Sequence, residues 1–196
     1  MGRVGVFVVG KVDIESKRYL SKSEHFADAF NYLIYDGRPV IRPEELRPLD
    51  STELAVPYGT DARAPTQKYR DVLKAWHAMR DGAAVYVVLG VESQDEVHYA
   101  MPVRTMLYDS MSYAGQVEKA SRSYRKNGSP ERVTRAEFLS GFHKGDRLMP
   151  VITLVVYLGA NAWDGPLSIR EMLNVVGDEL LPFVPDYHIN LIAPVL

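Results

Sequence analysis

Asp71, Glu92 and Gln94 are the residues whose types and spacing bear most directly on chemistry. The stretch "VYVVLGVESQ", residues 85 to 94, is apolar until its last three positions, where a carboxylate and a carboxamide interrupt it. Asp81-Gly82 suits a two-residue hairpin turn in which Arg80 faces Ala83, and counting outwards along both strands brings Asp71 opposite Glu92. Directly opposed residues share a sheet face with Cβ atoms about 4.5 to 5.5 Å apart, and Gln94 joins that face because strand side chains alternate. Two facing carboxylates need a cation, a shared proton or water. Magnesium takes oxygen ligands and retains water, so an Asp and a Glu can hold it while leaving positions for a phosphate and an attacking water, which is phosphodiester chemistry. The same spacing also fits two strand ends at a solvated rim, and a bulge would shift the pairing.

The elements that must position these residues follow from periodicity. In "SEHFADAFNYLIY", Phe26, Phe30, Leu33 and Ile34 fall at helical spacing, with Ser23 as N-cap and Asp36-Gly37 as the stop. "GRPVIRPEELRPLD" carries three prolines and reads as a connector around a short helical turn at Pro43 to Leu46, and "STELAVPYG" as an irregular strand. Strands from Gln67 to Trp76 onward and through the opening stretch make the hairpin. Pro102 opens a helix running to about Arg125, and Val103, Met106, Leu107, Ser110, Ala114 and Val117 form its expected packing face. "KNGSPERVTR" is polar, "MPVITLVVYLG" reads as a strand buried on both faces, "DGPLSIREMLNVV" as a helix and "YHINLIAP" as a last strand. Strand, long helix, buried strand is the pattern of a crossover unit in an α/β domain.

Bulk properties narrow the function classes. A chain of 196 residues with 46% hydrophobic residues can build one globular domain. Absence of cysteine excludes a disulfide scaffold, a thiolate zinc site and a cysteine nucleophile, and favours the cytoplasm. The net charge of -2 supplies no global attraction to nucleic acid, so DNA binding would need a local patch. The longest apolar run, Val151 to Leu158, falls far short of the roughly 20 residues needed to cross a bilayer, and "MGRVGVFVVGK" lacks a leader cleavage site. The five histidines, at 25, 77, 98, 143 and 188, show no zinc-ligand spacing, the glycines near the N-terminus form no phosphate-loop or dinucleotide fingerprint, and no serine sits in a nucleophile elbow.

"FADAFNYLIYDG", "QKYRDVL", "VYVVLGVESQDEVHYAMPVRTMLYD" and "PVITLVVYLGANAWDGPLS", in that order, resemble the recombination-promoting nuclease and transposase-like family within the PD-(D/E)XK nuclease superfamily. The resemblance implies a magnesium-dependent DNA endonuclease, with manganese as a substitute, on a restriction-endonuclease-like three-layer α/β/α core with a mixed central sheet. It implies an N-terminal extension over 1–10 and a nuclease domain over 11–196, cut short at "NLIAPVL" relative to longer members. Asp71 becomes the motif's Asp and Glu92 its Glu, the metal ligands, which are the residues the hairpin register selects. Gln94 stands where the superfamily commonly has lysine, as is familiar in this family. It cannot be a cation or a titrating base, but its amide can orient water or contact phosphate. The superfamily often adds an acid from its first helix, for which Asp28, inside "FADAFN", is preferred over Glu24, although both also fit as N-terminal helix charges.

DNA contacts would fall to Lys119, Arg122, Arg125 and Lys126 near the end of the long helix, where positive charge also complements the helix dipole. Arg104 can reach a phosphate or pair with an acid. Trp163 fits a packed loop anchor better than a base-stacking residue. A homodimer would suit double-strand cleavage. A nuclease fold without turnover, acting in DNA binding or protein assembly, is the alternative reading.

Overall fold

The computed structural model describes residues 11–49, 71–80, 83–128, 133–174 and 179–193. Its frame is the hairpin: β2 (Val72–Arg80) and β3 (Ala83–Gln94) pair antiparallel from Arg80 opposite Ala83 to Val72 opposite Val91. That is the register expected of a turn at Asp81-Gly82, although those two residues, like "STELAVPYG" and the first ten, lie outside the described residues. Before the hairpin come two helices, α1 (Lys11–Ser21) and α2 (Ser23–Tyr35), then a 3-10 turn at Pro43–Glu45 and the short strand β1 (Leu46–Pro48), antiparallel to β2. The long helix α3 (Met101–Asn127) and the short α4 (Arg135–Ser140) follow β3. β4 (Val151–Tyr157) returns parallel to β3, and β5 (Asn190–Ile192) lies parallel to β4, completing a mixed sheet in the order β1-β2-β3-β4-β5.

Strand alternation divides the sheet into two buried faces. Trp76, Leu89, Val91 and Leu154 point to one face and pack against Leu20 of α1 and against Phe26, Ala27 and Phe30 of α2. Residues of the other parity face α3, where Val155 packs with Met101 and Ile189. The result is a three-layer α/β/α core, with Glu92 on the α3 side of β3.

Asp36 closes α2 in the left-handed region at φ 52°, which a short polar side chain tolerates, and Gly37 follows at φ 79°. The connector after it is tied back by buried Asn31. Its Nδ2 donates to the Ile41 carbonyl at 2.9 Å, and its Oδ1 accepts from the amides of Ile41 at 2.8 Å and Val40 at 3.2 Å. Asn31→Leu would take the side-chain partner from the Ile41 N–H and carbonyl, while the Val40 N–H keeps the Arg38 carbonyl at 2.8 Å, so we expect a loss of about 2 kcal/mol in urea unfolding; a change below about 0.5 kcal/mol would mean water reaches the Ile41 groups instead.

Two expectations need correction. The face of α3 expected to pack is its outer side: Val103, Met106 and Leu107 are exposed, whereas Met101, Thr105, Tyr108, Asp109 and Ser112 are buried. The buried side carries polar groups whose partners are built in. Thr105 Oγ1 donates to the Met101 carbonyl, Ser112 Oγ to the Tyr108 carbonyl, and Asp109 accepts from Thr153 and Tyr187 hydroxyls. Hydrogen-bonded polar groups bury without the penalty that a hydropathy pattern assigns them. The second correction concerns "DGPLSIREMLNVV", which forms only a 3-10 turn at Arg170–Met172 among its described residues. Its backbone is committed elsewhere: Ile169 N–H donates to the Tyr187 carbonyl, and Ile189 N–H to that of Leu167. Those bonds replace the first turn of a helix.

Candidate active site

The acid pair lies where the hairpin ends away from its turn. Asp71 sits in a bend just before β2, one step beyond the Val72–Val91 pair, and therefore opposite Glu92. Its Oδ2 accepts the backbone N–H of Ser93 at 2.8 Å, so the carboxylate takes the place of a backbone acceptor at the strand end. Its Oδ1 lies 3.1 Å from Lys17 Nζ. Glu92 is fully buried, and its Oε2 lies 3.0 Å from Arg104 Nη2. Gln94, the next residue on the same face of β3, is half-buried, and its backbone carbonyl accepts from Leu158 N–H.

Each carboxylate is thus met by a cation from a different helix. Arg104 comes from the first turn of α3, where Pro102 fixes the entry. Its Nε donates to Tyr108 Oη at 3.3 Å, one helical turn on, and the guanidinium lies 5.7 Å from that ring centroid. Burial opposes its charge, but the Glu92 carboxylate, Tyr108 and Asp71 together outweigh that and hold its pKa above the ordinary value. Since Asp71 as well as Glu92 acts on this guanidinium, the two acids share one electrostatic environment.

Lys17 comes from α1, which is placed by two further contacts. Ser16 Oγ and Ser93 Oγ lie 2.9 Å apart, joining α1 to the residue between Glu92 and Gln94. Buried Lys74, on the helix-covered face of β2, donates from Nζ to the Ser21 carbonyl at 2.8 Å and to Ser23 Oγ at 2.9 Å, pinning the junction of α1 and α2. Burial lowers the Lys74 pKa, against the opposing pull of Glu24. The lysine stem supplies apolar contact, and its head satisfies a helix C-terminus.

The sequence-selected residues therefore divide. Asp71 lies opposite Glu92, Arg104 pairs with Glu92, and Gln94 follows Glu92 on the same face of β3. Asp28 and Glu24 do not join them: both are exposed on α2, which packs against the sheet face carrying Trp76 and Leu89, opposite that of Glu92. It is α1 that reaches the site. Lys119, Arg122, Arg125 and Lys126 are exposed at the far end of α3, with Arg122 in an ion pair to Glu118 at 2.7 Å. At about 1.5 Å per residue they lie roughly 22 to 33 Å along the helix from Arg104, on a separate stretch of surface. Trp163 anchors the loop after β4: it stacks edge-on with Tyr157, centroids 5.3 Å apart, and its Nε1 donates to the Gly165 carbonyl. Lys17 and Ser16 were missed, and no spacing rule would have found them. Their partners lie 54 and 77 residues away in the chain, and α1 is a polar segment with few apolar residues to announce it.

Carboxylate oxygens from Asp71 and Glu92 are the donor type a hard cation prefers. Among the described residues no group of three or more His, Cys, Asp or Glu side chains gathers, so magnesium here would have two protein carboxylates and fill its shell with water and phosphate oxygens. The donor chemistry fits. No helix among the described residues is long and apolar enough to cross a membrane. Comparison of the chain with protein-family models, with curated proteins and with solved structures finds no match.

Proposed function

We propose that this chain is a magnesium-dependent DNA endonuclease of the PD-(D/E)XK type, with manganese as a substitute cation. The observation that supports it is the Asp71–Glu92 pair at the open end of the hairpin, each carboxylate flanked by a cation from a different helix. Asp71 and Glu92 would hold the metal. Bound magnesium polarises a phosphodiester and lowers the pKa of water. Gln94 orients water or contacts a phosphate oxygen through its amide, which neither titrates nor carries charge. Arg104 holds the buried Glu92 carboxylate in place. Lys119, Arg122, Arg125 and Lys126 would track the DNA backbone at a distance from the cut, and such contacts fade with added salt.

The test is nicking of supercoiled plasmid with magnesium, with manganese and with excess EDTA. Nicked circles are expected with either cation and none with EDTA; cutting that persists in EDTA, or no cutting with either cation, ends this reading. One observation favours a second reading, a nuclease-fold module that binds DNA or a protein without turnover. Lys17 and Arg104 already balance the two acids, as they would in a site kept for structure. Duplex retention in a gel shift without cutting in either cation would support it.

A further inference from the structure

We propose that Lys17 is the group that neutralises the scissile phosphate, and that magnesium and Lys17 compete for Asp71; this inference rests on the nuclease reading of the same site. Asp71 and Glu92 carry two negative charges, and Lys17 and Arg104 carry two positive ones. Without metal the four side chains balance. A divalent cation on the carboxylates takes over that balance and leaves the two side-chain cations in excess, which makes the site attractive to a phosphodiester. Gln94, the next residue on the same face of β3, is neutral and adds none of this charge.

The two cations are not equivalent. Arg104 is committed, with its Nη2 at 3.0 Å from a fully buried carboxylate and its Nε on Tyr108. Lys17 faces the partly exposed partner: its side chain is 39% exposed and that of Asp71 10%, against 0% for Glu92. A compact ammonium on a flexible four-carbon stem can leave Asp71 for a phosphate oxygen a few ångströms away without moving its helix, which a guanidinium held by both a buried carboxylate and Tyr108 cannot. In hydrolysis, water attacks phosphorus and gives up a proton to solvent, the bond to the leaving oxygen breaks, and the leaving oxygen takes up a proton from solvent. Lys17 contributes charge to the phosphoryl oxygens throughout and transfers nothing.

Competition for Asp71 gives this role a signature that a scaffold lysine lacks. Lys17→Met keeps the stem and removes the charge, so it should bind manganese about 3- to 10-fold more tightly in calorimetry, because the carboxylate no longer has a resident cation. The same variant should cut plasmid about 10²-fold more slowly, as expected when a charge-stabilising contact in the transition state is lost. In calcium, its affinity for a short fluorescein-labelled duplex should fall, and the slope of log affinity against log salt should drop by about one. Lys17→Arg should keep the DNA affinity and part of the rate. Melting temperatures of both variants are measured alongside, and Lys17→Arg decides the matter if Lys17→Met unfolds. Wild-type cutting that Lys17→Met leaves unchanged overturns the role of Lys17 while the nuclease reading stands. If the wild type cuts with neither cation, the nuclease reading falls, and unchanged manganese and duplex affinities in Lys17→Met overturn the Lys17 inference separately.

Discussion

Glu92→Ala is expected to abolish plasmid nicking, by about 10³-fold or more, because it removes one of two carboxylates that would hold the metal. Alanine alone would not separate chemistry from folding, since Glu92 is fully buried against Arg104 and its deletion strands that guanidinium. Glu92→Gln makes the distinction. The amide has nearly the same shape and keeps a carbonyl oxygen for Arg104, but it lacks the charge that binds a hard cation and brings an N–H donor that repels it. Nicking should fall by a similar factor in Glu92→Gln, with circular dichroism unchanged and manganese affinity weakened at least tenfold. Asp71→Asn is the matching probe on the other strand. Its carbonyl oxygen can still accept the Ser93 N–H, so the strand end holds while the charge is lost. If Glu92→Gln cuts within tenfold of the wild type, Glu92 is a structural acid and the metal lies elsewhere.

How much of this was legible in the sequence depends on the range of the interaction. The register of β2 and β3, with Arg80 opposite Ala83, is the one a two-residue turn dictates because it leaves no slack, so the placing of Asp71 opposite Glu92 needed only local information. Helix α2 was readable for the same reason, from the spacing of Phe26 and Phe30 and the stop at Asp36-Gly37. α3 was readable in extent but not in orientation. Hydropathy chose Val103, Met106 and Leu107, whereas the sheet took Thr105, Asp109 and Ser112, whose hydrogen-bond partners lie on the preceding turn or on Thr153 and Tyr187. Leu167 and Ile169 were misread because their backbone bonds to the 187–189 segment are non-local. The site divides along the same line. Its acids sit on a hairpin and can be counted out from a turn, but Lys17 arrives from a helix whose docking on the sheet has no sequence signature. Asp28, expected from α2, lies apart from the two acids for that reason.

Arg104→Met should destabilise the fold by about 3 kcal/mol, the lower end of what breaking a buried ion pair costs, because the arginine is itself partly exposed. Methionine replaces most of the apolar stem, so the loss reports the charge rather than a cavity. What remains is Glu92, 0% exposed, with the cation at 3.0 Å removed and Val155 paired beside it on β4. In urea the midpoint should fall by about 1 to 2 M for a chain of this size. The double variant Glu92→Gln/Arg104→Met removes both charges and should recover most of the loss, which gives a coupling energy well above the few tenths of a kcal/mol seen for independent sites. Failure to recover would assign the loss to the contacts of Arg104 with Tyr108 instead. The comparison also bears on function. If the double variant is as stable as the wild type, apolar or neutral groups serve the fold as well as the ion pair does, and the chain keeps a buried carboxylate at this strand end for what Glu92 does rather than for what it holds together.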